Sequence, residues 1–411
     1  MSIYGVLAIS PYMPYKIHMD PVRNPFAPGA GSQPPELAGR EALIQRADVA
    51  IQRLMHGRHD KAQILLGLRG TGKTVLLNKF EQLADAHGCD TTFIEAPEDR
   101  SLASLLVPRL QKVLRALSAV EAAKALAHHA LGALKSFAKT FKVSYEGVTI
   151  SVDPAIGLAD SGDLESDLTD LFLAVGAAAQ PAGRAWVLFI DELQYLERIE
   201  LSALIVAVHR IVQKGYPVMF FGAGLPQIAA LSGEAKSYSE RLFDYPPIGA
   251  LNSEAAARAI RDPIREEGEE IDDAALAHIF DMTSGYPYFL QEWGYQCWNL
   301  AERSPIDEVV ASAATKRAIS RLDDGFFRVR LERLTPKEKE YVIGMASLGS
   351  GPYRSSDVAD HLGVEPTSLG PRRAQIIKKG MIYSPSHGDI AFTVPLFEDF
   401  LMRQYQLTPK G

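Results

Sequence analysis

Gly67-Leu68-Arg69-Gly70-Thr71-Gly72-Lys73-Thr74 fits the pattern G-x-x-x-x-G-K-[ST], and the residues on either side of it decide the fold. Gln63-Ile64-Leu65-Leu66 before it reads as a buried strand. Val75 to Ala86 after it reads as a helix, with Val75, Leu76, Phe80 and Leu83 on its apolar side. Strand, glycine-rich loop and helix in that order are the context the pattern needs to cradle phosphate. Gly67, Gly70 and Gly72 let successive backbone N–H groups turn inward around phosphate oxygens, with Arg69, Thr71 and Val75 among the candidate nucleotide-binding residues. The helix N-terminus adds its partial positive charge. Lys73 is placed to reach the β- and γ-phosphates, and the Thr74 hydroxyl to ligate Mg²⁺.

A second stretch supplies what that loop needs opposite it. Trp186-Val187-Leu188-Phe189-Ile190-Asp191-Glu192 is a continuous apolar run ending in two acids. It reads as a buried parallel strand that delivers carboxylates at its C-terminal end. Asp191 is the candidate Mg²⁺ ligand. Glu192 is the candidate group that orients and polarises an attacking water. Asp163 to Ala179 reads as a helix with an acidic first turn, which suits its dipole. Leu201 to Gln213 reads as an amphipathic helix, and Pro217 to Phe221 as another buried strand running into Gly222-Ala223-Gly224-Leu225-Pro226-Gln227.

Length and composition bound the rest. A chain of 411 residues suggests about two or three domains. With 47% hydrophobic and 23% charged residues it is globular and not disordered. A net charge of −7 and a pI near 5.9 argue against a protein that coats nucleic acid over its whole surface, but leave room for a local basic face. Cys89 and Cys297 lie far apart, so neither a disulfide framework nor a structural zinc site is supported, and a reducing cytosol is the simplest compartment. No apolar run is long enough to span a bilayer, so no membrane partner is expected. Met1 to Met19 lacks a basic segment followed by an apolar core and does not read as a signal peptide. An ordered arm, a tail, or an upstream start ahead of Met19 all fit that stretch.

Along the chain, Asn24 to Pro35 is turn-rich and extended. Gly39-Arg40-Glu41 opens a helix that runs to Leu54. Thr91-Thr92-Phe93-Ile94-Glu95 reads as a short strand, and Leu102 to Leu117 and Ala119 to Phe141 as helices. Phe141 to Val152 alternates around Glu146-Gly147 and reads as a hairpin. This insertion, about residues 101–160, is either a cap on the sheet edge, the reading favoured here, or a partner-binding feature. Asn252 to Arg303 reads as helical and contains Ser284-Gly285-Tyr286-Pro287-Tyr288-Phe289-Leu290-Gln291. Tyr286, Tyr288, Phe289, Trp293 and Trp298 read as helical core before they read as a base-stacking surface.

Taken together, Pro25-Phe26, Gly39-Arg40-Glu41, the phosphate loop, Asp191-Glu192, Gly222 to Pro226, Glu240-Arg241 and Gly285-Tyr286-Pro287 resemble the AAA family ATPases similar to archaeal origin-recognition initiators and their STAND cousins. The resemblance covers nearly the whole chain after Asn24. It implies an α/β core with a parallel sheet of about five strands and helices on both faces, a helical lid, and a C-terminal winged helix. The implied boundaries are an arm over 1–35, an ATPase core over 36–250, a lid and linker over 251–333, and a winged helix over 334–411. It implies ATP or ADP with Mg²⁺. It places the adenine near Leu37 to Arg40, with Gly39 and Arg40 as contacts, and Pro287 of the lid on the nucleotide. It places Arg241 where this class carries an arginine that answers the γ-phosphate, in a neighbouring subunit where the protein is a ring or filament. An Arg–Glu or Arg–Asp surface pair is the plainer reading of Arg241. The sequence departs from the family at the tip of the Pro217–Phe221 strand, where no Asn, Thr or Ser stands as a polar sensor. Gln194 and Gln227 are the candidate substitutes. The lid also lacks the second sensor Arg of origin-initiator relatives.

The last stretch carries its own signals. Thr335-Pro336-Lys337-Glu338 is a helix start, with Thr as cap and Pro in the first turn. Ser355 to Leu362 is a second helix with Gly363 as its stop, and Leu369 to Lys379 a third. Met381-Ile382-Tyr383 and Ile390 to Val394 flank Ser384 to Asp389 as a two-stranded wing. A DNA-binding version would use Arg372, Arg373, Lys378 and Lys379 on the third helix and His387 in the wing. Asp357, Asp360, Glu398 and Asp399 weaken that basic face. Lys316, Arg317, Arg321, Arg328, Arg330 and Arg333 in the linker strengthen it.

Three functions fit these parts. The first is an ATPase that couples nucleotide state to double-stranded DNA. The second is a low-turnover, STAND-like nucleotide switch or scaffold whose winged helix holds a protein partner, or that forms a homo-oligomer. The third, a kinase-like phosphoryl transferase, lacks any acceptor-site motif.

Overall fold

The computed structural model describes residues 19–29, 37–97, 99–143, 152–386 and 388–407. They form two compact units: Arg40–Ala250 with Asp323–Gly411, and Leu251–Leu322 with the described residues up to Gly39.

The first unit is built on a parallel sheet of five strands: β1 (Ala62–Leu66), β2 (Asp90–Glu95), β3 (Trp186–Asp191), β4 (Val218–Gly224) and β5 (Phe243–Asp244), in the order β2-β3-β4-β1-β5. β3 and β4 are buried along their whole length, as strands covered on both faces must be. Side chains alternate between the faces. Leu188 and Ile190 of β3 and Phe220 of β4 pack with the helices Leu102–Ser118, Lys124–Thr140, Leu164–Ala179 and Arg198–Lys214. Val187, Phe189 and Phe221 face the helices Glu41–Met55 and Lys73–Ala86, with the Phe189 and Phe221 rings stacked 5.4 Å apart. β1 lies between β5 and β4 in the sheet, and β4 lies beside β3. The loop after β1 and the acids ending β3 therefore open at the same edge, the carboxyl ends of the strands, where open α/β sheets bind ligands.

Several boundaries differ from the sequence expectation for local reasons. The helix after the phosphate loop begins at Lys73, two residues before Val75, because Gly72 takes a left-handed φ of +92° and caps it. β4 runs to Gly224 and not Phe221. Its glycines make room for the turn after β3. A Cβ on Gly222 would lie 2.6 Å from Leu193 Cδ1, and one on Gly224 would lie 3.1 Å from Gln194 Oε1. The helix expected from Ala119 starts at Lys124, after a 3₁₀ turn over Glu121–Ala123. The Asp163 side chain caps its helix, accepting from the Ser166 N–H at 2.8 Å. Most of the expected hairpin, residues 144–151, lies outside the described residues.

The C-terminal part of this unit contains helices Pro336–Ala346, Ser355–Leu362, Gly370–Lys378 and Phe397–Tyr405. They accompany an antiparallel sheet of β6 (Tyr353–Arg354), β7 (Ile382–Tyr383) and β8 (Asp389–Phe392), in the order β6-β8-β7. Thr335 caps the first of these helices as its sequence indicates. Glu338 reaches back, its Oε2 accepting from the Thr335 N–H at 2.7 Å, to complete a capping box. β6 was not anticipated, since two residues carry no readable alternation.

The second unit contains helices Ser253–Glu266, Asp273–Thr283, Pro287–Leu300 and Glu308–Arg321. Tyr286, Phe289, Trp293 and Trp298 are buried here, in keeping with helical core. Trp293 Nε1 donates to Thr315 Oγ1 at 2.9 Å. The described arm belongs to this unit. Trp298 Nε1 donates to the Asp20 carbonyl at 2.9 Å, and Asn24 Nδ2 to the Tyr295 carbonyl at 3.1 Å. Phe26 lies flat on Gly294, where a Cβ would come within 2.8 Å of the ring. Gly285, at φ +70°, accepts from the Leu251 N–H at 2.8 Å, and the Leu251 carbonyl leaves no space there for a side chain. That tight passage sets up Pro287 in the first turn of its helix.

Candidate nucleotide site

The loop Gly67–Thr74 leaves the sheet anchored at its first residue. The Gly67 N–H donates to the Gly224 carbonyl at 3.1 Å. A side chain on Gly67 would strike the Ile248 carbonyl and sit 2.7 Å from Thr71 Oγ1. Gly70 and Gly72 both take left-handed φ values, +83° and +92°, which only glycine adopts without strain. Inside the loop the Leu68 carbonyl accepts from Thr71 Oγ1 and from Lys73 Nζ, each at 2.9 Å.

The acids stand directly against this loop. Thr74 Oγ1 donates to Asp191 Oδ2 at 2.5 Å, and the other Asp191 oxygen accepts from the Glu192 N–H at 2.8 Å. Lys73 and Asp191 are 5% and 2% exposed, so both charges are held out of water. Burial pushes the Lys73 ammonium below its ordinary range, against the pull of Glu192 and Asp191. Burial likewise raises the Asp191 carboxyl, opposed by the Thr74 hydroxyl bond and reinforced by Glu192. A buried ammonium whose hydrogen-bond partner is a neutral carbonyl suits an added anion. The carboxylate and hydroxyl beside it form the hard-oxygen donor pair that Mg²⁺ takes.

Glu192 has φ +56° and ψ 41°, a left-handed conformation that costs a non-glycine residue about 1–3 kcal/mol. The strained turn brings its carboxylate to Gln194, whose Nε2 donates to Glu192 Oε2. Gln194 Oε1 in turn accepts from the Leu225 N–H at 3.1 Å. Gln194 thus bridges the acid on β3 to the tip of β4, where the sequence shows no polar sensor. Gln227, the other candidate, precedes the helix Ile228–Ala235 and makes no side-chain cap bond there.

The remaining candidates are distributed as follows. Arg69 and Val75 are half-buried in and after the loop. Arg40 is half-buried, donates to the Gly249 carbonyl, and has its pKa lowered by partial desolvation. Gly39 and Pro287 lie in the unit of four helices. Arg241 is exposed in the short helix Ser239–Leu242, and its charge helps to hold His209 below its ordinary pKa, after burial and Arg210. Among the described residues it makes no ion pair.

The basic residues expected on a nucleic-acid face are largely engaged internally. Lys379 Nζ donates to Glu338 Oε2 at 2.6 Å and to the Arg333 carbonyl at 3.0 Å. Glu338 is 5% exposed, so Lys379 neutralises a buried carboxylate. Arg373 donates to Ser355 Oγ at 2.8 Å, and Arg372 lies 3.8 Å from Glu340 Oε2. Lys378 is exposed, and His387 lies outside the described residues.

Comparison with known proteins supports the core of this picture. The pattern of the AAA ATPase domain matches residues 36–221. A domain of unknown function matches residues 324–401. No curated protein matches the chain. A Walker-type ATPase of Pyrococcus abyssi superposes with a TM-score of 0.54 at 16% identity, over 89% of this chain and 96% of that one. The ORC2 protein of Aeropyrum pernix, solved in ADPNP and ADP complexes, superposes with a TM-score of 0.50 at 12% identity, over 92% and 98%. At such identities these likenesses show the fold: an AAA-type α/β core. Among the described residues no helix is long and apolar enough to cross a membrane.

Proposed function

We propose that this protein hydrolyses ATP to ADP and phosphate and couples the nucleotide state to double-stranded DNA through a C-terminal winged helix. The observation that carries the ATPase reading is the 2.5 Å bond between Thr74 and Asp191, which joins the phosphate loop to the acid pair. Lys73 and the inward N–H groups of the loop hold the β- and γ-phosphates. Thr74 and Asp191 hold Mg²⁺, which when bound neutralises charge on the phosphate oxygens. Glu192 orients a water and accepts its proton as the water oxygen bonds to the γ-phosphorus. The bond to the β-phosphate oxygen breaks, and Lys73 stabilises the charge left on ADP. Gln194 holds Glu192 at the required place. Exposed Arg241 suits a role on the nucleotide of a neighbouring copy.

Helices, the β7–β8 hairpin and β6 follow the order of a winged helix. Arg372 and Lys378 are the groups on its third helix that would face DNA. A second reading has one specific support, the internal engagement of Lys379 and Arg373. It makes the protein a low-turnover nucleotide switch whose winged helix holds a protein partner. Phosphate release by the purified full-length chain, with and without duplex DNA over a range of salt, separates the two. DNA stimulation that falls steeply with salt is expected. Near-zero, DNA-independent turnover with retained ADP would transfer the case to the switch.

Gln194→Ala tests the bridge. Turnover is expected to fall about tenfold while ATP affinity stays within about twofold, because the group acts on the base and not on the bound phosphates. An equal loss in both would make Gln194 a structural residue only.

A further inference from the structure

Arg69 stands at the centre of the phosphate loop and touches two other parts of its unit. Its backbone N–H donates to the Thr393 carbonyl at 3.2 Å, just past the end of β8. Thr393 is 1% exposed and is itself tied down. Its N–H donates to the Met381 carbonyl at 3.0 Å, and its Oγ1 to the Gly380 carbonyl at 2.7 Å. The Arg69 guanidinium lies against Gly380, at φ +64°, where any Cβ would collide with it. The same guanidinium donates to the Tyr195 hydroxyl. Tyr195 ends the 3₁₀ turn that starts from Glu192, and its N–H donates to the Glu192 carbonyl at 3.0 Å. One residue therefore joins the phosphate loop, the turn bearing the acid, and the C-terminal sheet.

We propose that Arg69 is a latch between the phosphate loop and the C-terminal segment, and that a bound nucleoside triphosphate opens it. The proposal rests on the nucleotide reading above. A triphosphate in the loop attracts the guanidinium, drawing it off Gly380 and Tyr195. Packed contacts of this kind switch between arrangements and do not stretch. Linkage then runs both ways: whatever opens the latch must tighten triphosphate binding by the factor with which triphosphate opens the latch.

The test uses the full-length chain, a non-hydrolysable ATP analogue with Mg²⁺, and amide hydrogen exchange over Met381–Tyr383 and Ile390–Thr393. In the wild type the analogue is expected to speed exchange there by about fivefold or more, within the usual span of coupling factors. Gly380→Ala forces the guanidinium away, so it should show that fast exchange without nucleotide and bind the analogue about fivefold more tightly. Arg69→Ala, which creates no clash and no left-handed strain, should also exchange fast without nucleotide and show no further change on adding it. It keeps the proposal testable if Gly380→Ala does not fold. Binding of the analogue to the wild type with unchanged exchange overturns the latch and leaves the nucleotide reading standing. So does a nucleotide response in Arg69→Ala equal to that of the wild type. A wild type that binds no analogue sinks the nucleotide reading and the proposal together.

Discussion

Glu192→Gln is expected to lower steady-state phosphate release by about 10²-fold or more while leaving Mg²⁺–ATP affinity within about threefold. Glutamine keeps the size of the side chain and can still meet Gln194, so the strained turn at φ +56° and the bridge to Leu225 survive. What it loses is the charge that polarises water and the oxygen that takes a proton. The loss falls on the chemical step and not on phosphate binding, which belongs to Lys73 and the loop. Phosphate-release kinetics beside equilibrium nucleotide binding measure the two separately. Turnover equal to the wild type would remove Glu192 from its assigned role.

Lys73→Ala is expected to act on the opposite half of the cycle, weakening ATP binding by about 10- to 100-fold. That range corresponds to one hydrogen bond between charged groups, about 1.5–3 kcal/mol. The ammonium is 5% exposed and its hydrogen-bond partner is a carbonyl of its own loop, so the loop structure does not depend on an ion pair that the substitution would break. Removing it also takes away one of the charges that hold the Asp191 carboxyl down, so that carboxyl shifts further up. Thermal unfolding gives the readout. At an ATP concentration of about 100 times the wild-type Kd, binding stabilises the wild type by about 2.7 kcal/mol. A 100-fold weaker variant gains only about 0.4 kcal/mol at the same concentration. A variant that keeps the full thermal shift would show that this lysine does not grip the phosphates.

The parts of the site that could be read in advance are those whose chemistry is local. The glycines of the phosphate loop, Lys73-Thr74 at a helix start, and an apolar strand ending in Asp191-Glu192 each state their conformation within a few residues. Four of the strands were legible as short apolar runs, whereas the five-stranded parallel sheet was what the resemblance to the AAA ATPases implied, the fifth strand being only Phe243–Asp244. The Thr335–Glu338 cap was equally legible, because both partners lie within one turn of helix.

What no stretch of sequence announced is who stands beside whom across the fold. Gln194 reaches Leu225 because Gly222 and Gly224 of β4 lack side chains beneath it, and that matters only once β3 and β4 are neighbours. Lys379 is basic and sits on the helix where DNA contacts were expected, yet chain folding buries Glu338 next to it and claims its charge. The arm read as turn-rich and extended from Asn24, and nothing in that stretch named Gly294 as the floor on which Phe26 rests. Arg69 is an unspecified position of its motif, and its contacts with Gly380 and Thr393 reach across more than three hundred residues of chain, that with Tyr195 across 126. Short-range geometry is written in residue type and spacing. Contacts between distant segments arise only from the packing that closes the core.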